Sequence, residues 1–382
     1  MSRRIPASTK LQFLITFLFR TLPCAVSRIL RAAIRAWLKS LPLGASIWNG
    51  FAGALMTNTP PRQLQAILPS TIDTYNAWIL SHGAIPAVDV LVADNSTRLL
   101  WIGPKHGSKV VLFFHGTMSD LFCLRLTDLV GGGYVMPLSK GHLDWMAHIK
   151  KEASSSGIEI SVCILEYDLI PASPYPRQMS QGIFALRYLL TSGYAPSKII
   201  FGGDSAGGHL SLSLMAHLHR HRPSDLMRET VIDLQGAIRG CFLVSPLTSF
   251  NFKTPSYLRW LSADVLSQKN VEKWGNYLVE NSPWQEEISS GSAWGMSLDV
   301  PETWWKGFAA VERIIITGGN EEVFSDHIQS LGEMLKRTSE RGVTVHMANE
   351  THDGPLMDFA AGRRPSETTE AITDFIISCF EE

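Results

Sequence analysis

The chain has 382 residues, of which 45% are hydrophobic and 18% are charged, against about 25% charged residues in an average soluble domain. This composition excludes a disordered chain, which combines low hydrophobicity with high net charge. The net charge of −1 gives no overall attraction to nucleic acid. Five scattered cysteines without a CxxC pair argue against a disulfide framework and a structural zinc site. They predict a reducing, cytoplasmic location.

Residues 1–87 are predicted to form a basic helical segment ahead of the catalytic domain. No acidic residue precedes Asp73, whereas nine basic residues do. Residues 11–19 form an apolar run that is shorter than the roughly 20 residues a membrane-spanning helix needs. Residues 27–39 have the pattern of a basic amphipathic helix. Two interpretations stay open: a helix packed over a binding cleft, or a peripheral membrane contact through residues 3–39.

From residue 88 to residue 382 the sequence alternates short apolar runs with stretches of helical periodicity. Strands are predicted at 110–114, 160–165, 199–202, 238–244, 313–317 and 343–348, and helices at 143–153, 178–190, 205–221, 324–341 and 368–380. Apolar runs separated by helices of this length indicate βαβ crossovers. We therefore expect an α/β domain with a mostly parallel central sheet and helices on both faces.

Residues 250–305 interrupt this alternation with an aromatic-rich segment that lacks a strand pattern. The segment contains six of the eleven tryptophans of the chain: Trp260, Trp274, Trp284, Trp294, Trp304 and Trp305. A helical insertion between two strands is expected to cap the carboxyl edge of the sheet, where ligands bind in open α/β folds. We expect some of these tryptophans to line a pocket and others to fill the core of the insertion.

A nucleophilic serine is predicted at Ser205. Gly203 and Gly207 flank it as Gly-x-Ser-x-Gly between a predicted strand and a predicted helix, the setting in which a sharp turn lifts a serine hydroxyl above the sheet. Glycine is needed at both positions because strand and helix approach too closely for a Cβ atom. The helix also directs its positive end toward the serine. A nucleotide-binding loop is excluded, because the GxGxxG spacing fails and no lysine follows.

The predicted base and acid follow the serine in the chain order Ser, acid, His. His352 comes directly after the last predicted strand, so its imidazole is expected at the same sheet edge as Ser205. Just after the preceding strand, Glu322 and Asp326 are both candidates for orienting that imidazole. Glu322 is preferred, because Asp326 falls inside the following predicted helix.

The serine lies within a longer pattern that is shared with a known family. The pattern comprises Gly203-Asp204-Ser205-Ala206-Gly207-Gly208, His115-Gly116 after a strand, Tyr167 with Pro171, and Ser245-Pro246. Over about residues 88–382 it resembles the hormone-sensitive-lipase-like α/β-hydrolases, with the greatest resemblance to fungal steryl acetyl hydrolases and hydrolases of secondary metabolism. The resemblance implies the α/β-hydrolase fold, carboxylester hydrolysis without a cofactor, and a cap built from the N-terminal segment and the insertion. It also maps the acid of the family onto Glu322.

The oxyanion loop of that family reads His-Gly-Gly-Gly-Tyr, and in this chain it is divided. His115-Gly116 is followed by residues 117–130, and Gly131-Gly132-Gly133-Tyr134 comes only after them. Backbone N–H groups must lie within hydrogen-bond distance of an oxyanion, so Gly116, Gly132, Gly133 and Ala206 are the predicted donors. Residues 117–130 are interpreted either as an insertion that bulges outward or as a retained intron.

Three other histidines are given structural roles. His115 is expected to hold the glycine loop. His217 and His221 lie four residues apart on a predicted helix, a spacing that can bind metal. Because no third ligand is evident, they are expected on a solvated helix face, and no metal site is predicted.

The predicted reaction is acyl transfer to water through a serine ester. His352 removes the proton of Ser205, Ser205 attacks the ester carbonyl, and Glu322 orients His352. The expected substrate is a small to medium acyl ester, such as an acetate, of an apolar terpenoid, sterol or polyketide alcohol. Two alternatives use the same pocket: a dehydratase or cyclase, and a ligand-binding receptor without a reaction. The sequence sets no oligomeric state.

Overall fold

The structure, a computed structural model, describes residues 7–105, 107–116, 133–223, 231–259 and 263–381. The strands in these ranges are Val88–Val90 (β1), Arg98–Ile102 (β2), Val110–Phe114 (β3), Ser161–Glu166 (β4), Ile199–Asp204 (β5), Gly240–Val244 (β6), Arg313–Gly319 (β7) and Gly342–Ala348 (β8). They form one eight-stranded sheet in the order β1-β2-β4-β3-β5-β6-β7-β8.

The sheet is parallel from β4 through β8 and antiparallel at one edge. β2 pairs antiparallel with both β1 and β4, whereas the other neighbours pair in parallel. Every residue of β3, β5 and β6 is buried, as expected of strands that are covered on both faces. The predicted mostly parallel sheet is confirmed. The antiparallel edge was not predicted. β1 is short and partly exposed, and this part of the sequence lacks the strand–helix–strand pattern from which the parallel strands were predicted.

The α-helices of the described chain are Ala7–Thr16 (α1), Leu22–Lys39 (α2), Leu43–Asn58 (α3), Pro61–Ile67 (α4), Thr71–Ser81 (α5), Lys140–Ser155 (α6), Arg177–Thr191 (α7), Ala206–His219 (α8), Pro255–Leu258 (α9), Gln268–Val279 (α10), Trp284–Ser289 (α11), Ser325–Thr338 (α12), Gly354–Ala360 (α13) and Glu367–Glu381 (α14). Side chains alternate across each strand, so Leu112 and Phe114 join one core with α7, α8 and α12. Val111 and Phe113 join the other core with α5, α6 and α14.

The N-terminal helices are longer than the sequence indicated. α1 continues into α2 through a π-helical turn, Phe17–Thr21, so the helix that begins in the apolar run of residues 11–19 continues past Arg20. The resulting helix, Leu11–Lys39, is long and apolar enough to cross a membrane. In the structure α2 lies against α3. The two helices approach so closely that a Cβ atom on Gly50 would come within 2.9 Å of the Ile29 backbone.

The insertion between β6 and β7 carries α9, α10, α11 and a 3-10 turn, Glu302–Trp305. Trp294 packs edge-on against Trp304, with ring centroids 5.1 Å apart, and Trp305 donates its indole N–H to the Ser297 carbonyl. These three tryptophans therefore fill the core of the insertion. Trp260 lies outside the described residues.

Candidate active site

Ser205 lies on the turn between β5 and α8, in a strained backbone conformation. Its φ angle is +50°, in the left-handed region that side chains other than glycine rarely adopt. A Cβ atom on Gly203 would lie 2.0 Å from the Phe114 carbonyl oxygen, and one on Gly207 would lie 1.8 Å from it. The two glycines are thus required by the close approach of β3, and they let the turn present Ser205 above the sheet.

His352 lies in the loop between β8 and α13, with its imidazole against the serine. Its Nε2 atom is 2.9 Å from Ser205 Oγ, and both side chains are buried. An imidazole that carries its hydrogen on Nδ1 can accept the hydroxyl proton at Nε2. This contact is the geometry that a serine nucleophile and its base require.

Glu322 follows β7 and faces the other nitrogen of the same ring. Its Oε2 atom is 3.3 Å from His352 Nδ1, and its side chain is fully buried. Asp326, the alternative acid, lies in the first turn of α12. Its carboxylate accepts the backbone N–H of Ser256 and lies 3.6 Å from Arg259. The structure therefore places Glu322, and not Asp326, beside the imidazole.

Ser245 links the acid to the histidine loop, a role that the sequence analysis missed. Its hydroxyl donates to Glu322 Oε2 at 2.7 Å and accepts the backbone N–H of Asp353 at 3.1 Å. The residue follows β6 with a φ angle of +45°. The sequence signal for it was Ser245-Pro246, which carried a family resemblance but no assigned function.

Asp353 brings a second, unexpected carboxyl group to the site. Its Oδ2 atom is 3.2 Å from His352 Nε2, and neither of its oxygens has a hydrogen-bond partner among the described residues. Burial, with further contributions from nearby carboxylates, raises the pKa of Asp353 well above its usual range. The facing His352 lowers this pKa in part. Burial lowers the pKa of His352, but the facing Asp353 and Glu322 more than offset this and raise it.

The predicted oxyanion donors are only partly brought together. Gly133 and Ala206 lie beside Ser205 in one pocket, and Ala206 is the first residue of α8, where the N–H has no acceptor within the helix. Gly116 contradicts the prediction: its N–H donates to Asp204 Oδ1 at 2.8 Å, because that buried carboxylate needs donors of its own. Gly132 and the inserted residues 117–130 lie outside the described residues.

Tyr134 connects the turn at Gly133 to α8, the helix that follows Ser205. Its hydroxyl donates to His209 Nδ1 at 2.6 Å, and His209 Nε2 donates to the Gly295 carbonyl at 2.6 Å. His209 is fully buried, and burial lowers its pKa to about 4. A neutral imidazole supplies the one acceptor and one donor that this chain of hydrogen bonds needs. The chain connects the turn at Gly133 to α8 and to the insertion.

A small apolar pocket opens above Ser205. Its cavity volume is about 30 Å³, close to the space that one water molecule occupies. Its apolar lining comes from Ile170, Leu247, Leu266, Val271, Trp274, Leu278 and Phe324. Trp274 is thus the described tryptophan of the insertion that lines the pocket.

Comparison with known proteins identifies the family. A profile of the alpha/beta hydrolase fold matches residues 128–354, which is more than half of the chain. The chain belongs to this family. The part of the chain that matches the family profile begins at residue 128. This start lies after His115-Gly116 and just before Gly131-Gly132-Gly133.

Individual relatives of this α/β hydrolase are distant. Hormone-sensitive lipase from Mus musculus is 28% identical over 158 residues, which cover 40% of this chain and 20% of that protein. An esterase from Gibberella moniliformis is 23% identical over 184 residues, covering 47% of this chain and 53% of that protein. The chain thus spans between a fifth and about half of the length of these relatives.

Solved structures share the fold of this α/β hydrolase at low identity. A structure from a study of two esterases of Rhizomucor miehei superposes with a TM-score of 0.60 at 19% identity. The match covers 84% of this chain and 90% of that one. At this identity the likeness establishes the fold, in agreement with the observed sheet order.

A second buried polar cluster lies next to the serine turn, around Asp204 and His115. The Asp204 carboxylate lies 3.3 Å from His142 Nε2 in addition to its bond from Gly116. Burial and the neighbouring His142 lower the pKa of His115 to about 3, so its Nδ1–H donates to the Gly116 carbonyl at 2.8 Å. Its own carbonyl accepts the Tyr167 hydroxyl at 2.7 Å. His115 therefore holds the backbone at Gly116.

His217 and His221 do not share a solvated face, which corrects the sequence-based expectation. His217 is fully buried on α8, and its Nδ1 accepts the backbone N–H of Arg222. His221 follows the end of α8, is exposed, and contacts the Ile232 carbonyl at 3.2 Å. The chain folds back after α8, which buries the first ring. Among the described residues, no group of three or more His, Cys, Asp or Glu side chains is arranged to hold a metal ion.

Proposed function

We propose that this α/β hydrolase is a serine carboxylester hydrolase with Ser205 as nucleophile, His352 as base and Glu322 as the orienting acid. One observation carries the proposal: the imidazole of His352 contacts Ser205 Oγ through one nitrogen and faces Glu322 through the other. Each partner is buried, so this alignment is fixed by packing rather than by chance contact at a surface.

The proposed reaction proceeds through an acyl-enzyme. His352 Nε2 takes the Ser205 proton while Oγ forms a bond to the ester carbonyl carbon, and the carbonyl oxygen becomes an oxyanion. Collapse of this intermediate breaks the ester C–O bond, and Nε2 returns the proton to the departing alcohol. Water then attacks the acyl group with His352 again as base, which releases the acid and restores Ser205.

The oxyanion is assigned to backbone donors at Ala206 and Gly133, with Gly132 as a sequence-based third donor. Ala206 and Gly133 line the same pocket as Ser205. The helix that begins at Ala206 also directs its positive end at the developing negative charge. Donors prearranged in this way are worth about 10²–10³ in kcat each.

The proposed substrate is a small acyl ester, such as an acetate, of an apolar alcohol of the terpenoid, sterol or polyketide type. The pocket above Ser205 is small and lined mainly by aliphatic and aromatic side chains, which favours a short acyl group over a long one. The chain resembles hydrolases of fungal secondary metabolism, which supports a role in that setting. The buried cysteines Cys163 and Cys241 form no disulfide, which supports a reducing, cytoplasmic compartment.

The proposal is tested by covalent labelling and turnover together. Wild-type protein is incubated with a fluorophosphonate probe, and separately with p-nitrophenyl esters of increasing acyl length. We expect labelling and turnover that are greatest for the acetate, with both lost in Ser205→Ala. No labelling and no turnover by a folded sample would overturn the hydrolase assignment. A turnover maximum at long acyl chains would overturn only the substrate class.

A further inference from the structure

The outer face of the N-terminal helix is apolar and exposed. We define the outer face by Leu18, Leu22, Val26, Leu30, Ile34 and Trp37, which recur every three or four residues and are between 43% and 82% exposed. Residues at this spacing share one side of a helix. With Leu11 and Leu14 at its start, the stripe extends over about 40 Å at 1.5 Å per residue. A soluble protein normally turns such a stripe toward its core.

The inner face holds the helix in this orientation. Ala25, Ala32 and Ala36 are fully buried on the side opposite the stripe. From the same side, Arg28 donates to the backbone carbonyls of Asp264 and Val265 at 3.3 Å and 3.2 Å, and Arg35 donates twice to Glu321, at 2.9 Å and 2.6 Å. Arg28 and Arg35 thus bind the protein body, and the apolar stripe is left outside.

We propose that the outer face binds a lipid bilayer, with the helix lying parallel to the membrane surface. An amphipathic helix in this position sinks its apolar side to the boundary between headgroups and acyl chains. Trp37, which is 82% exposed, has the amphipathic ring that favours that boundary. No acidic residue precedes Asp73, so nothing in this segment repels an anionic lipid surface.

A parallel orientation fits the contacts better than a membrane-spanning one. Spanning the bilayer would remove Arg28 and Arg35 from their partners in the protein body and place both charges in hydrocarbon, where a charged side chain is strongly disfavoured. Lying on the surface keeps both contacts intact. It also buries the exposed stripe without unpairing the helix backbone, whose hydrogen bonds are internal.

The test is flotation of the full-length protein with preformed phosphatidylcholine vesicles, with and without phosphatidylserine. The stripe variant combines Leu22→Glu, Leu30→Glu and Ile34→Glu. The matched control combines Ile85→Glu, Val92→Glu and Leu258→Glu, which are exposed to 88%, 88% and 73% elsewhere on the surface. We expect the wild type and the control to float, and the stripe variant to partition roughly 100-fold less, because three buried apolar side chains are lost.

Near-ultraviolet circular dichroism checks that both variants remain folded, and it does not depend on the proposed enzymatic activity. The inference fails if the wild type does not float, or if the control loses binding as much as the stripe variant. Wild-type protein that resists extraction by alkaline carbonate would instead show a spanning helix. A wild-type dimer that becomes monomeric in the stripe variant, without vesicle binding, would assign the outer face to a second copy of the chain.

Discussion

The site around Ser205 and the N-terminal helix both reverse the usual placement of side chains, but in opposite directions. At the carboxyl edge of the sheet, Glu322, His352 and Asp353 are buried although they can carry charge. On the N-terminal helix, large apolar side chains such as Phe19 and Trp37 are exposed. Buried ionisable groups and large exposed apolar patches are both costly, so where they occur they often belong to functional sites. We propose that the first region serves catalysis and the second serves membrane binding.

The two regions also touch each other. Arg35 and Lys39 pair with Glu321, the neighbour of Glu322. Asn49, on α3, donates to the hydroxyl of Thr351, the neighbour of His352, and to the carbonyl of Ala263. Thus α2, which carries most of the outer face, braces the acid loop, and the neighbouring α3 braces the histidine loop. A membrane bound at the outer face would then lie at a fixed distance from the nucleophile.

Removing the charge of Glu322 tests the buried region most severely. Glu322→Gln keeps the shape of the side chain but removes the negative charge beside His352, so we expect kcat to fall by roughly 10⁴, the guide from an analogous triad. Steady-state kinetics on a soluble acetate ester gives the value. Asp326→Asn is the matched control and should change kcat little, because that carboxylate contacts Ser256 and Arg259 instead. A larger loss in the control would reassign the acid.

Ser245 is expected to act as a positioning residue in the same region. Ser245→Ala removes one hydrogen bond to the Glu322 carboxylate and leaves the Asp353 N–H without its acceptor. Since a hydrogen bond to a charged group is worth about 1.5–3 kcal/mol, we expect kcat to fall roughly 10- to 100-fold with KM nearly unchanged. Ser249→Ala is the control, because Ser249 is equally buried but donates to Asp299 in the insertion.

The outcome for Ser245 is read from more than its rate. Loss of the bond should also shift the pH at which kcat/KM reaches half its maximum, since Glu322 sets the charge state of His352. A variant that only melts earlier, with unchanged kinetic constants at a temperature where it is folded, would show that Ser245 has a structural role alone.

How much of this arrangement the sequence predicted depends on the distance over which each contact acts. Ser205 and His352 were predicted because a local motif and the last strand place them at one sheet edge. Glu322 was preferred over Asp326 as the acid because it precedes the predicted helix that contains Asp326, and α12 does begin between them. Gly116 was predicted wrongly, because its N–H is held by Asp204, 88 residues away. A local sequence pattern cannot predict a hydrogen-bond partner at that distance along the chain.

The N-terminal helix shows the same limit. Its basic and apolar stripes are visible in the sequence, but the pattern does not determine which of the two stripes faces the rest of the protein. The direction is set by Glu321 and the carbonyl of Val265, more than 230 residues from their arginine partners. The sequence therefore left both interpretations of the segment open.

The charge state of His352 gives a smaller effect with a defined sign. The reaction needs the neutral imidazole, and the facing carboxylates raise the pKa of His352 from its usual 6.5 even though burial lowers it. Activity should therefore rise with pH through a midpoint above 6.5. In Glu322→Gln the residual activity should show a lower midpoint, because an anion that stabilises the imidazolium is gone. A midpoint that is unchanged by this substitution would contradict the assignment of Glu322.

Asp353→Asn separates the two carboxyl groups that face His352. Both carboxyl groups raise the pKa of His352, so replacing Asp353 with a neutral amide of the same shape should also lower the midpoint of kcat/KM against pH. A midpoint that stays unchanged would show that Asp353 is uncharged in the resting site, the direction in which burial moves its own pKa. The two variants measured side by side thus show how much each carboxyl group contributes to the charge that faces His352.

The smallest expected effect lies at the contact between the two regions. Arg35→Ala removes the shorter of the two ion pairs to Glu321, while Lys39 keeps the other at 3.2 Å. We expect the free energy of unfolding to fall by about 1 kcal/mol and kcat to fall only a few-fold, because the acid loop is loosened rather than displaced. Arg337→Ala is the control, since Arg337 pairs with Glu302 on the surface, away from both loops. Chemical denaturation measures the first quantity and turnover of a soluble ester measures the second. Equal losses of kcat in both variants would show that the brace does not reach the acid loop.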